Sequence, residues 1–65
     1  MPTLERQLKS ILREYGCFFV RNGKGDHEIW YSPITDRHIT VDSGIKSFFT
    51  ANAVLKAAGI RDKKF

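Results

Sequence analysis

The stretch Cys17-Phe18-Phe19-Val20-Arg21-Asn22-Gly23-Lys24-Gly25-Asp26-His27-Glu28-Ile29-Trp30-Tyr31-Ser32 decides the fold. Residues 17–21 are rich in aromatic and β-branched side chains and are bounded by Gly16 and by Asn22-Gly23-Lys24-Gly25, so they read as a strand that ends in a tight turn. Residues 27–32, with Ile29, Trp30 and Tyr31, read as a second strand. Ser32-Pro33-Ile34-Thr35-Asp36 then carries turn chemistry ahead of a third strand over residues 38–42. Strand, turn, strand, turn, strand is the signature of an antiparallel meander. Alternation along the first strand pairs Phe18 with Val20 on one face and Cys17 with Phe19 on the other.

On either side of this meander the apolar spacing becomes helical. Leu4, Leu8, Ile11, Leu12 and Tyr15 fall on one stripe and predict a helix over residues 4–15, with Thr3 as its N-cap, Gly16 as its left-handed stop and Pro2 where it cannot interrupt the helix. Ala51, Val54, Leu55 and Ala58 predict a second helix over residues 50–58, with Thr50 as N-cap and Gly59 at its end. Ile60 follows, placed to pack back on the last turn. Phe48 and Phe49 are expected to plug the core edge or meet a protein partner, and residues 61–65 to fray. The order is α-β-β-β-α: an α+β fold in which two helices cover one face of a three-stranded antiparallel sheet and leave the other face open to a ligand.

Sixty-five residues make one domain, spanning 1–65, and a domain of this size buries only roughly 60% of the surface its unfolded chain exposes. The hydrophobic share of 42%, with five Phe, two Tyr and one Trp, suffices for one core and excludes a disordered chain. A single cysteine excludes an intramolecular disulfide and leaves no zinc-binding pattern, which fits a reducing cytoplasm. No apolar run is long enough to span a bilayer or to serve as a secretory signal, so neither membrane nor export is expected. Eleven Lys/Arg against seven Asp/Glu give a net charge of +4, a field that attracts phosphate polyanions.

Gly23-Lys24-Gly25-Asp26-His27-Glu28-Ile29-Trp30 resembles the signature of the HicA family of toxins: a glycine-rich turn, a small polar residue and a histidine that opens the second strand. Gly16-Cys17-Phe18 with Arg21 is similar to the family's helix exit and first strand, and residues 50–60, ending Ala57-Ala58-Gly59-Ile60, to its closing helix. The likeness runs in order over nearly the whole chain. It implies a fold like that of a double-stranded RNA-binding domain, an mRNA-cleaving endoribonuclease activity within a toxin–antitoxin pair, a neutralising partner of the HicB type, and a catalytic histidine at His27. It implies no cofactor. The chain departs from the pattern at Asp26, where the family often has Ser, and in lacking a proline around Asp42 to Gly44.

The residues can be read chemically beside that likeness. RNA cleavage without a metal needs a base for the ribose 2′-hydroxyl, a proton for the departing 5′-oxygen and donors for the phosphoryl oxygens. Histidine suits the proton transfers because it titrates near neutral pH; a histidine that merely caps a turn is the competing reading of His27. Gly23 and Gly25 would bring backbone N–H groups to a phosphate with Lys24 adding charge, although Gly-Lys-Gly is also ordinary hairpin chemistry.

Asp26, His27 and Glu28 cannot converge on a metal if they lie on a strand, since neighbours point to opposite faces. If the chain is still turning at Asp26, that carboxylate is expected to accept a hydrogen bond from the imidazole. His38, beside Arg37 and Asp36, reads as exposed at a hairpin end, with a second proton donor as the alternative role. Arg6, Lys9 and Arg13 form a basic stripe on the first helix, because residues seven apart differ by only about 20° in azimuth. That stripe, with Arg21, could meet an RNA backbone, or it is a solvated face that Glu5 supports through Lys9. Two further readings of the whole chain stand beside the nuclease: a non-catalytic double-stranded RNA-binding module, and a protein-interaction domain whose exposed aromatics form the partner surface.

Overall fold

The structure, a computed structural model, describes residues 3–65; Pro2 lies outside the described residues. The Thr3 hydroxyl accepts the backbone N–H of Arg6 (3.2 Å) and caps helix α1, Leu4–Glu14. Leu8 and Leu12 are fully buried, and Leu4, Ile11 and Tyr15 pack around them, so the expected stripe is the one that faces the core. Tyr15 is the C-cap rather than the last helical residue. The ending is a Schellman motif: Gly16 N–H donates to Arg13 O (3.0 Å) and Cys17 N–H to Leu12 O (2.9 Å).

Three strands follow: β1 (Phe18–Asn22), β2 (His27–Ser32) and β3 (Arg37–Asp42), paired antiparallel in the order β1-β2-β3. The first begins one residue later than expected because Cys17 belongs to the helix ending and is buried beneath it. Glu28, Trp30 and Ser32 of β2 turn toward the helices; His27, Ile29 and Tyr31 turn to the open face. On β3 the buried residues are Ile39 and Val41, which leaves His38, Thr40 and Asp42 on the open side.

Strand β1 contains an irregularity that corrects simple alternation. Phe18 pairs with Tyr31 and Phe19 with Trp30, but Arg21, not Val20, pairs with Ile29. Val20 is the extra residue of a β-bulge. The bulge advances the phase by one, so Arg21 joins Phe18 on the open face.

The second helix, α2, runs Phe48–Ala57 with Ser47 as N-cap, its hydroxyl accepting Phe49 N–H (3.2 Å). It begins two residues earlier than the apolar spacing predicts, because a first turn that faces solvent leaves no mark on that spacing. Phe48 and Phe49 therefore lie on this exposed turn and do not plug the core; Phe49 is 84% exposed. Ala58 is the C-cap, and the ending repeats that of α1: Gly59 N–H to Lys56 O (3.0 Å), Ile60 N–H to Leu55 O (2.9 Å), with Ile60 buried as expected.

The C-terminal residues are held rather than frayed. Tyr15 donates its hydroxyl to Asp62 (2.6 Å), which pushes the phenol pKa up to about 12. The Phe65 backbone N–H donates to Asn52 (2.8 Å), and its ring stacks on Phe48 at 6.1 Å between centroids.

One core joins both helices to the inner face of the sheet: Leu8, Leu12, Trp30, Ile39, Val41, Val54 and Leu55 with smaller residues between them. Ser32, fully buried, donates its hydroxyl to Ala58 O (2.7 Å) and so fastens β2 to the end of α2. Against this junction lies Gly59, with φ +84°, where an added Cβ would come within 2.7 Å of Ile34 Cγ2 and 2.9 Å of Thr35 Cγ2. Gly59→Ala should cost about 3 kcal/mol through backbone strain and collision together. Gly44→Ala has a similar φ (+77°) and open space around the new methyl; it should cost about 1 kcal/mol from strain alone. Urea unfolding of the two variants would check the difference, and equal losses would contradict the close packing at Gly59.

Candidate functional site

His27 is the first residue of β2, where the chain leaves the Gly23–Asp26 turn. Two backbone bonds set its position: Gly23 N–H donates to His27 O (2.8 Å), and His27 N–H to Lys24 O (3.3 Å). A side chain at Gly23 would press on His27, since its Cβ would meet His27 Cβ and His27 O at 3.4 Å and Ile29 Cδ1 at 3.2 Å. Gly23 therefore serves close packing beside the histidine. Its N–H is spent on His27 O and is not a donor for a phosphate, contrary to the expectation from sequence.

Across the sheet His27 pairs with Asp42 at the end of β3, and the imidazole Nδ1 is hydrogen-bonded to the Asp42 carboxylate. This corrects the expectation that Asp26 is the imidazole's partner. Asp26 contributes its backbone instead, accepting Ser43 N–H (2.9 Å) and so tying the β1–β2 turn to the residue that follows Asp42. The pairing depends on the register of two strands fifteen residues apart in sequence, which no local motif encodes. The His27 side chain is 49% exposed. With Nδ1 held by the carboxylate, Nε2 is the nitrogen left for a ligand, and no protein partner of it occurs among the described residues.

Two cations accompany the imidazole. Arg21, opposite Ile29, is diagonal to His27 on the open face, about 7–8 Å away between backbones, and its guanidinium donates to Asn22 O (3.5 Å). Lys24 and Gly25 form the exposed tip of the adjoining turn, and Gly25 has φ +66° with open space around it. Lys24, Gly25 N–H and Arg21 are thus the donors gathered near His27.

The basic stripe of α1 is not gathered there, because α1 covers the opposite face of the sheet. Lys9 lies between Glu5 (2.6 Å) and Glu28 (3.0 Å). Arg13 lies over the Trp30 ring, 5.4 Å from its centroid, an attraction of cation to π face. Both are occupied within the fold. Arg6 remains exposed on the far side. His38 pairs with Tyr31, four residues along β2 from His27, hence about 13 Å away. That separation removes it as a second proton donor at the same phosphate. Asp26, His27 and Glu28 do not converge, and no group of three or more His, Cys, Asp or Glu side chains suited to a metal occurs among the described residues.

A groove of about 710 Å³ runs between α2 and the C-terminal residues and is lined by Phe49, Leu55, Ile60, Lys56, Arg61 and Lys64 among others. It has no carboxylate or imidazole on its wall and shares no residue with the His27 face. No helix among the described residues is long and apolar enough to cross a membrane. Comparison with family models, curated proteins and solved structures found no match to this chain.

A polar chain supports the His27–Asp42 end of the sheet from behind. Trp30 Nε1–H donates to Glu28 (2.9 Å), Glu28 meets Lys9, Lys9 meets Glu5, and Glu5 accepts Gly44 N–H (2.7 Å), two residues beyond Asp42. The Trp30 N–H and then Lys9 hold the Glu28 carboxyl below its ordinary range, and Lys9 with Gly44 N–H does the same for Glu5. Burial acts to lower the Lys9 pKa, but its two carboxylates outweigh it and the net shift is upward. Depressed carboxyl values mean stability that is present above the ordinary value of 4.5 and lost as pH falls through the folded values. A raised lysine value means stability that is present below 10.5 and lost at higher pH. Lys9→Met should therefore lower stability by about 1 kcal/mol at pH 7, and the gap from the parent protein should narrow as the pH falls from 4.5 toward 3. Urea midpoints at pH 7 and pH 3 would test this; a gap unchanged at pH 3 would assign the loss to packing.

Proposed function

We propose that this chain is an endoribonuclease of the HicA toxin type that cleaves mRNA, with His27 as its proton-transfer residue. The observation that supports this most is the exposed His27 imidazole, held at Nδ1 by Asp42 and flanked by Arg21 and Lys24. A histidine that merely occupied the surface would need no carboxylate to fix its tautomer.

In this reading Nε2 of neutral His27 takes the proton of a ribose 2′-hydroxyl, and the 2′-oxygen attacks the adjacent phosphorus. The bond from phosphorus to the 5′-oxygen breaks, and that oxygen takes a proton from solvent at the open face. The products are a 2′,3′-cyclic phosphate and a free 5′-hydroxyl. Asp42 keeps the proton of neutral His27 on Nδ1, so that Nε2 is the basic nitrogen, and it stabilises the imidazolium that forms. Arg21, Lys24 and Gly25 N–H offset the charge that grows on the phosphoryl oxygens. No metal or cofactor is assigned a step.

The partner that goes with this activity is a HicB-type antitoxin. Acidic groups laid over His27, Arg21 and Lys24 would exclude the substrate and compete for the same cations. Activity on mRNA further fits a cytoplasmic protein.

The test is to incubate the purified protein, His27→Ala and Asp42→Asn with mRNA in the presence of EDTA and to follow RNA length and binding together. His27→Ala should slow cleavage about 10²- to 10⁴-fold, and Asp42→Asn at least about tenfold, with RNA still bound. Intact RNA bound by the parent protein would favour a non-catalytic RNA-binding module. Neither binding nor cleavage would favour a protein-interaction domain.

A further inference from the structure

The open face carries more than the imidazole. At the end of the sheet away from His27, Phe18, Tyr31 and His38 stand side by side on three neighbouring strands. The Phe18 and Tyr31 ring centroids are 5.4 Å apart, and those of Tyr31 and His38 are 5.6 Å apart. Phe18 is 54% exposed and His38 is exposed. Tyr31 is fixed by donating its hydroxyl to Asp36 in the β2–β3 turn, so the row cannot easily collapse onto itself. Burying these rings against the protein's own core is ruled out by the parity of β2, which gives the core to Trp30.

We infer that Phe18, Tyr31 and His38 form a base-stacking subsite for single-stranded RNA, which delivers the neighbouring phosphates to Arg21, Lys24 and His27. The inference rests on the proposed ribonuclease reading for its substrate and on the ring geometry for its location. Aromatic rings on an open sheet stack unpaired bases of any sequence, because every base offers a π face. The rings lie about 13 Å along β2 from His27, a span of about four stacked nucleotides and fewer in an extended strand. Between them lie Arg21, Ile29 and Thr40, where a sugar–phosphate backbone meets one cation and no carboxylate. Duplex RNA does not suit this face, since its base faces are already stacked and hidden. The consequence is a preference for unpaired RNA, together with a minimum substrate length set by the distance from the rings to His27.

The experiment uses the His27→Ala protein, which keeps the rings and spares the RNA. A single-stranded RNA octanucleotide and the same strand annealed to its complement are titrated while the Phe18, Tyr31 and His38 ring resonances are followed by NMR. Phe18→Ala and His38→Ala, both at exposed positions, are made in the same background and checked for folding by their amide spectra. The single strand should shift all three rings and bind more tightly than the duplex, and each substitution should weaken it about tenfold. Unmoved ring resonances, or unchanged affinity in both variants, would overturn the subsite even if the parent protein cleaves RNA. Ring shifts in a protein whose parent form fails to cleave would keep the subsite and remove the nuclease chemistry. Ring resonances that respond to protein concentration and not to RNA would mark the face as a protein contact and overturn the inference.

Discussion

Burial of Trp30 fixes the parity of β2, and the placement of the candidate site follows from that parity. The indole is only 1% exposed, enclosed by the helices with Phe19 edge-on at 6.4 Å and Arg13 over its face. Its one polar atom is satisfied by Glu28. Because side chains alternate strictly along a strand, a slip of one residue would bring Trp30 into water and His27, Ile29 and Tyr31 into the core. Fully burying one large aromatic side chain is worth about 1.5–3 kcal/mol, a large share of what a domain this small can hold in reserve. The histidine faces outward because the tryptophan cannot.

Parity alone would still leave His27 without company, and two long-range features supply it. The bulge at Val20 rotates Arg21 onto the open face, and the β2–β3 register brings Asp42 opposite His27. The second is supported from the inner side by the polar chain that runs from Trp30 through Glu28, Lys9 and Glu5 to Gly44. Lys9, a cation that the sequence offers as an RNA contact, is thus consumed in fastening the loop after Asp42. The sheet thus separates the cations of α1, engaged in the fold or turned away, from Arg21 and Lys24 on the side of the imidazole.

What could be read from the sequence follows the range of the interaction that encodes it. Thr3, Gly16, Gly59 and the apolar stripes act over three to six residues, and the two helices, three strands and their order were legible from them. The start of α2 was not, because its cap Ser47 precedes two exposed phenylalanines that break the apolar spacing on which the helix was read. The residues that form the C-terminal hold are polar and aromatic, without periodicity, and their partners Tyr15 and Asn52 lie elsewhere in the chain. His27 itself stood out, being a histidine at a glycine turn, whereas Asp42 did not, since the nearer Asp26 offered the same chemistry in sequence. An antiparallel strand with two carboxylates flanking its site could have raised the question; only the register answers it.

The exposed aromatic residues can be ranked by the same reasoning. A single exposed phenylalanine is ordinary on a small protein, because there is too little polar surface to cover it. Phe49 is of this kind: it lies on a helical turn whose cap and spacing require nothing of it. Phe18, Tyr31 and His38 differ, because three rings in contact across three strands form a continuous patch that the fold did not need for its core. A sheet with one face already covered by two helices could carry threonine or lysine at these positions with little loss of stability. The rings occupy the face shared by His27, and Tyr31 among them is held there by Asp36, so the open side of the sheet offers aromatic surface beside a charged site.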